Sequence, residues 1–420
     1  MNKDIILYSL SAAINKGSIL LFFPLLTQFL TLENFGKWSL IIIVSNLLIP
    51  IISLNGSASI LREGSNNLKI GFSLFKKYIY FSLLISIFSG CIVYFFVGTN
   101  WFFYSVLIGS AEALLILSMT YVRTEDRVFN YFLISFFKTL ILFFIILYAK
   151  NSNLPLDILL TYHFITVIIF ALTIAMFLFI RNKTNNSQYE LISALLFGIA
   201  LIPHGLSQWI MSSADRLILE YMLGSTSVGI YSLAYNIALI LMLLNSGIAL
   251  ALPPYLIKNF NYWKDKEYDT KLSNYYTILS ILLFLIVLII YYLDKNYFHV
   301  LGYYGPEMIP LIITIYSSIY ILGLYYFYVN YLFYYKKAII ISKVTFYAAL
   351  LNIILTILFV YISGTLGAAV ATLFAYIYYL YKIRQETLKY EPLINISLFK
   401  NIGLFVLFVS IISLSLNYLP

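Results

Sequence analysis

Charged and chemically reactive residues are scarce in this chain. Only 10% of its 420 residues are Asp, Glu, Lys or Arg, and it has one cysteine and three histidines. A single cysteine excludes a disulfide within the chain, and three scattered histidines do not form a His-rich catalytic centre. The sequence has no P-loop, nucleophile elbow or Cys/His metal spacing, which excludes ATP hydrolysis by this chain. We therefore expect a protein that is not an enzyme and binds no metal or organic cofactor.

Hydrophobic residues are abundant instead and make up 62% of the chain. They occur in blocks long enough for a helix to cross a hydrocarbon core about 30 Å thick. The sequence therefore predicts an all-α polytopic membrane protein, whose first helix is retained and not cleaved as a signal peptide. The predicted spans are 5–31, 36–60, 77–98, 101–122, 128–149, 156–180, 191–213, 226–251, 272–293, 307–334, 338–361, 365–383 and 396–419.

The positive charges indicate the orientation of these spans. If the N-terminus is cytoplasmic, the cytoplasmic segments hold 20 of the 26 Lys and Arg residues and the opposite segments hold four. This asymmetry follows the positive-inside rule. The net charge of +9 is thus a topology signal and an attraction to anionic membrane lipids. We expect no nucleic-acid partner.

A short repeat divides the chain into two halves. "LLTQFLTLENFGKWSL" (25–40) and "ILEYMLGSTSVGIYSL" (218–233) align with an offset of 193 residues, which places Gly36 on Gly229. Six predicted spans separate the copies, so both halves face the same way across the membrane, as in a parallel transporter repeat. We expect a six-helix lobe over 1–190, a second over 191–385, and a tail with a thirteenth helix over 386–420.

Three stretches carry a family resemblance: "FLTLENFGKWSL", "DRLILEYMLGSTSVGIYSLAYN" and "GTLGAAVATLFAY". They resemble the Wzx-type polysaccharide repeat-unit flippases, which belong to a superfamily with the MATE drug exporters and the lipid II flippases. The resemblance implies a bacterial inner-membrane protein that moves an undecaprenyl-pyrophosphate-linked oligosaccharide from the cytoplasmic to the periplasmic leaflet. It also implies work beside a polysaccharide polymerase in the synthesis of a surface glycan such as the O-antigen of lipopolysaccharide.

Three ionisable residues lie near the middle of predicted spans in the first lobe: Lys16, Glu112 and Lys138. Such side chains are costly in hydrocarbon and usually face a watery cavity or pair with one another. Lys16 and Lys138 are candidate substrate-binding residues, because a pyrophosphate group needs cations. Glu112 is the candidate ion-coupling residue, taking up H⁺ or Na⁺. The alternative for Glu112 and Lys138 is a structural ion pair between neighbouring helices.

Four further polar residues lie in the seventh predicted span or directly after it. In "LIPHGLSQW" the order Pro–His–Gly predicts a break in the helix, with freed backbone groups lining a cavity. His204 and Gln208 are therefore candidate substrate-binding residues, although each could also hydrogen-bond a neighbouring helix. Asp215 and Arg216 follow the apolar run of 191–213, and we expect an interfacial pair that fixes the depth of the helix.

Two other functions are alternatives. A cation-coupled drug exporter would share the two-lobe fold, and only the cationic bias of the buried charges favours an anionic substrate. A membrane-embedded polysaccharide polymerase would need a long non-cytoplasmic loop with functional Arg or His. Here the longest such loop is about 294–306.

The predicted orientation can be tested by labelling cysteines from outside the cell. In a Cys91→Ser background, a cysteine at Lys69 should be protected from an impermeant maleimide, because the positive-inside bias places it in the cytoplasm. A cysteine at Lys295, in the opposite loop, should react. Labelling of position 69 in intact spheroplasts would contradict the topology.

Overall fold

The computed structural model describes residues 3–98, 100–182, 191–258, 260, 268–392 and 398–416, and among these residues there is no β-strand. The predicted all-α class is therefore confirmed. A short π-helical segment, Asp294–Phe298, follows α10. The helices are α1 (Lys3–Leu26), α2 (Leu32–Ile52), α3 (Gly56–Gly64), α4 (Leu68–Phe96), α5 (Trp101–Thr124), α6 (Val128–Asn151), α7 (Leu156–Arg181), α8 (Leu191–Leu223), α9 (Ser225–Lys258), α10 (Tyr268–Leu293), α11 (Met308–Tyr334), α12 (Ala338–Leu388) and α13 (Leu398–Leu416).

Within the described ranges, ten helices are long and apolar enough to cross a membrane: α2 and α4 to α12. Helices suit this environment because every backbone polar group is satisfied within the segment. α1 and α13 contain shorter apolar segments, Gly17–Leu26 and Leu398–Ile411. The chain is a multi-pass membrane protein.

The 51-residue helix α12 corresponds to two of the predicted spans. Its backbone is non-helical at Ser363 and Gly364, between the spans predicted over 338–361 and 365–383. Gly364 has φ +61° and ψ −137°, a conformation open essentially to glycine alone. The glycine thus allows a connection with almost no loop.

Two details of the predicted helices are wrong. The span expected over 36–60 ends at Ile52 and resumes as α3, because Leu54 and Asn55 take left-handed φ values of 49° and 48°. The break expected at Pro–His–Gly is absent, and α8 is helical through Pro203. A proline removes only one backbone donor, and transmembrane helices tolerate that loss.

The chain divides into two compact units, the first made of Met1–Trp209 with Ser225–Gly229 and the second of Ile210–Gly224 with Ile230–Pro420. In the first unit α5 is buried along most of its length and packs against α2, α4 and α7. In the second unit most residues of α11 between Met308 and Leu332 are buried. These two central helices position the other elements of their units.

The C-terminal helix α13 is built into the second unit. The Phe405 ring stacks on Tyr320 of α11 with centroids 4.0 Å apart. Tyr320 donates a hydrogen bond to the Asn401 carbonyl at 3.1 Å, and the Asn401 amide donates to Ser273 Oγ of α10 at 3.2 Å. Polar bonds of this kind hold helices together where no hydrophobic force between them operates.

Corresponding helices follow the sequence repeat. α9 begins 193 residues after α2, the same offset as the aligned stretches. Further along, the turns after α5 and α11 each contain a left-handed residue, Asp126 and Lys336, now 210 residues apart. The offset grows mainly because α9, with 34 residues, is longer than α2, with 21.

The two glycines that the repeat aligns pack against helix backbones: Gly36 of α2 against α9, and Gly229 of α9 against α2. A Cβ atom on Gly36 would lie 1.9 Å from the Ser225 carbonyl oxygen, and one on Gly229 would lie 2.2 Å from the Leu32 carbonyl oxygen. Leu32 and Ser225 are the first residues of α2 and α9. The contact is reciprocal, and close approach of backbones explains why glycine stands at both positions.

Alanine at either glycine should therefore be destabilising. We expect Gly36→Ala or Gly229→Ala to cost about 1–3 kcal/mol, because a backbone must move to admit the methyl group. Gly90→Ala on α4 is the control, since a Cβ there meets nothing within 4 Å. It should stabilise by about 0.5–1 kcal/mol through helix propensity. Thermal unfolding in detergent measures both, and equal melting temperatures for all three variants would contradict the close contact.

Candidate functional site

Glu112 and Lys138 form an ion pair in the first unit. Lys138 Nζ lies 3.1 Å from Glu112 Oε1 and 3.3 Å from Oε2, so both carboxylate oxygens face the ammonium group. The side chains are only 17% and 16% exposed. Each residue lies near the middle of its helix. Glu112 on α5 is about 16 Å, and Lys138 on α6 about 20 Å, from the end where that hairpin is open. The structure thus brings together the candidate coupling carboxylate and one candidate substrate-binding lysine.

A second polar contact fixes α6 against α1. The Asn15 amide donates to Ser135 Oγ at 3.1 Å, and Ser135 lies three residues before Lys138 on the same helix. Lys16 follows Asn15 in α1, but its side chain lies outside the described part of the structure. Its role therefore stays a prediction.

His163 was missed by sequence reasoning as a member of this site. It projects from α7 and interacts electrostatically with both Glu112 and Lys138. It also lines a small pocket whose other walls are apolar. No local sequence pattern indicates this contact, because the approach of α7 to α5 and α6 depends on tertiary packing.

His204 and Gln208 lie one turn apart on α8. Their side chains approach at 3.3 Å, from Gln208 Nε2 to His204 Nε2, and Gln208 is exposed. The next residue, Trp209, donates to the Ile43 carbonyl of α2 at 3.0 Å and holds this part of α8 in the first unit. The two polar side chains share one helix face.

Asp215 and Arg216 do form a pair, but it is buried and not at a helix end as predicted. They are 2% and 4% exposed, and α8 continues to Leu223, about 12 Å beyond Asp215. Asp215 accepts hydrogen bonds from the Tyr231 hydroxyl at 2.5 Å and from the Arg216 backbone N–H at 2.9 Å. These donors replace the water that a carboxylate loses on burial.

The Arg216 guanidinium is held mainly by aromatic rings. Its Cζ lies 4.0 Å from the centroid of Tyr235 and 5.5 Å from that of Tyr231. Nη1 donates to the Ser212 carbonyl at 3.3 Å, while Nε has no hydrogen-bond partner among the described residues. Cation–π contacts of this kind stabilise a desolvated cation by about 2 kcal/mol. Two tyrosines four residues apart in the same quoted stretch were the available sequence signal.

The loop after α10 is closed by its own hydrogen bonds. Asp294 is buried and accepts from the backbone N–H groups of Val300 and Leu301, both at 3.0 Å. The Tyr303 hydroxyl donates a hydrogen bond to Glu307, and this bond raises the pKa of Tyr303 to about 12. His299 packs edge-on against a tyrosine ring in this loop. In the described part of the chain, no three His, Cys, Asp or Glu residues are placed to hold a metal.

The hydrogen bond from the Tyr231 hydroxyl to the buried Asp215 predicts that this hydroxyl stabilises the second unit. Tyr231→Phe should cost about 1.5–3 kcal/mol, because it removes a hydrogen bond to a buried carboxylate. Tyr221→Phe is the control on α8, where the side chain is 91% exposed, and should change stability by less than about 0.5 kcal/mol. Thermal unfolding of the two variants compares them. Equal stability would place Asp215 in water, contrary to the structure.

Comparison with known proteins gives the fold and the family. A curated-protein search finds no match. An inward-facing multidrug resistance MATE family transporter of the MOP superfamily has a TM-score of 0.69 at 12% identity, covering 93% of this chain and 98% of that one. Lipid II flippase MurJ, inward closed, has a TM-score of 0.64 at 14% identity, covering 98% and 99%. A Vibrio cholerae MATE transporter VcmN variant gives 0.59 at 15%, covering 92% and 97%.

These similarities confirm the MATE- and flippase-like fold predicted from sequence. The model of the family described as "Polysaccharide biosynthesis protein" matches residues 1–260, more than half of the chain. The chain therefore belongs to the polysaccharide biosynthesis protein family, with the fold of the MOP-superfamily transporters and flippases.

Proposed function

We propose that this protein translocates undecaprenyl-pyrophosphate-linked oligosaccharide repeat units from the cytoplasmic to the periplasmic leaflet of a bacterial inner membrane. The observation that carries the proposal is the combination of its family with its fold. The family is that of polysaccharide biosynthesis, and the fold is shared over 98% of the chain with a lipid II flippase. A polysaccharide-pathway protein built as a transporter has to move a glycan intermediate, and the intermediates of such pathways are carried on lipid.

The pyrophosphate headgroup needs cationic partners inside the membrane. The sequence predicts Lys16 and Lys138 at membrane depth, and in this structure Lys138 pairs with Glu112. Lys16 is therefore the residue we propose for the first contact with the headgroup. Lys138 joins it only when Glu112 releases the ammonium. His204 and Gln208 supply hydrogen-bonding groups for the glycan.

Glu112 is the proposed coupling residue. Uptake of H⁺ or Na⁺ neutralises the carboxylate and leaves the positive charge of Lys138 uncompensated. Movement of one charge through the membrane potential provides about 2.3 kcal/mol per 100 mV. Since 1.4 kcal/mol is a factor of ten, that biases a two-state carrier roughly fifty-fold. The two states of an alternating-access cycle can then be driven in one direction.

A cation-coupled drug exporter is the second candidate, because a MATE transporter also shares the fold, with a TM-score of 0.69. An exporter of organic cations would bind its substrate with carboxylates or aromatic rings. The lysines of our proposal would repel such a substrate. A membrane-embedded polymerase has less support, since the loop after α10 is tied up by its own hydrogen bonds.

Charge reversal at Lys16 tests the proposal in cells. In a strain that lacks the gene, Lys16→Glu should restore at most about a tenth of the surface polysaccharide restored by the unaltered protein, since a carboxylate repels pyrophosphate. Lys295→Glu makes the same charge change on the exposed segment after α10 and should restore normal polysaccharide. Membrane levels of both variants are measured on immunoblots.

Normal polysaccharide with Lys16→Glu would remove this residue from headgroup binding. Normal polysaccharide in the strain without the gene, together with sensitivity of that strain to cationic dyes, would favour the drug exporter.

A further inference from the structure

His163 is a titratable residue that the proposed headgroup contacts do not use. It lies on α7, where it interacts electrostatically with Glu112 on α5 and Lys138 on α6. Three packed helices of the first unit thus bring an acid, a base and an imidazole into one cluster. Among the described side chains, no hydrogen bond to the imidazole is formed.

The surroundings of this cluster distinguish between the two coupling ions. Hard metal cations such as Na⁺ take oxygen ligands. Both oxygens of Glu112 already face the Lys138 ammonium, which fills the place a metal would take. The pocket beside His163 is lined by carbon-rich side chains: Phe22, Trp38, Leu142, Ile145, Ile146 and Leu159. A proton needs only one acceptor atom, and the imidazole provides it.

Depth along the helices places His163 between the ion pair and one end of the unit. The starts of α5 and α7 share an end, because α6 returns the chain between them. His163 lies about 10 Å from that end and Glu112 about 16 Å. The positive-inside bias predicts this end to be periplasmic, the side from which protons enter a cell.

The other charged side chains described on α5, α6 and α7 lie in the first or last turn of their helices: Arg123, Lys150, Asp157 and Arg181. On α2, Lys37 bonds Glu33 at 2.6 Å. The side chain of Lys16 on α1 is outside the described residues.

We propose that the coupling ion is the proton and that His163 receives it and passes it to Glu112. The imidazole accepts a proton from the end of α7 and becomes a cation beside the ion pair. Transfer to Glu112 restores neutral His163 and leaves a neutral carboxylic acid. Lys138 keeps its charge and loses its carboxylate partner. The consequence for transport rests on the function proposed above.

Histidine NMR tests the proton site without any transport. The chain has three histidines, His163, His204 and His299, so a sample labelled at histidine in lipid nanodiscs gives few signals. The His163 signal, identified by its loss in His163→Gln, should titrate between about pH 4 and pH 9. Its midpoint should move in Glu112→Gln and stay in Glu307→Gln, whose carboxylate lies in the second unit. A His163 signal that never titrates, or ignores Glu112, overturns the proposal.

Proteoliposomes test the coupling itself with a fluorescent lipid-linked oligosaccharide. A pH gradient should bias translocation by up to about tenfold per unit for one proton carried, and a sodium gradient should have no effect. His163→Gln should lose the response to pH, whereas His299→Gln should keep it. A response to sodium alone overturns the proton assignment. Absence of all translocation contradicts the proposed function, and the NMR titration then still decides whether His163 exchanges protons with the cluster.

Discussion

The cost of placing charge away from water governs the polar architecture of this protein. In hydrocarbon an ionised side chain needs a partner, and two ion pairs in the described part of the chain meet this need in different ways. Glu112 and Lys138 face each other across two helices, whereas Asp215 and Arg216 are neighbours on one helix, completed by a tyrosine hydroxyl and two tyrosine rings. The Glu112–Lys138 pair links α5 and α6, and the His163 imidazole interacts electrostatically with both of its members. The Asp215–Arg216 pair is closed on itself and stabilises the second unit.

This difference separates the pair that we propose to change state from one that is closed on itself. In that proposal one proton on Glu112 removes the partner of Lys138, and the two side chains are 16–17% exposed. Asp215 is 2% exposed and accepts hydrogen bonds from the Tyr231 hydroxyl and the Arg216 backbone N–H. Helix packing follows the same constraint. The backbones of α2 and α9 approach closely at Gly36 and Gly229, where no side chain stands between them. Polar side chains form hydrogen bonds between α10, α11 and α13.

The sequence could predict what depends on local pattern. Apolar run lengths gave the helices, and the offset between Gly36 and Gly229 matched the spacing of α2 and α9. It could not place side chains that meet through tertiary packing: Glu112 with Lys138 stayed an open alternative, and His163 was missed. The misplacement of Asp215 has a physical cause, since two charges look like the end of a span unless the tyrosines that neutralise them are known. The Pro203 break was wrong because a helix in a membrane tolerates one missing donor.

Translocation by the purified protein tests the central claim most directly. Vesicles of bacterial lipid carry a fluorescent undecaprenyl-pyrophosphate oligosaccharide in one leaflet, and an impermeant quencher follows its arrival in the other. The account predicts transfer at least about tenfold faster with the protein than in empty vesicles, a difference in barrier of about 1.4 kcal/mol. Transfer no faster than in empty vesicles, from protein that exports an organic cation in the same membranes, would contradict it.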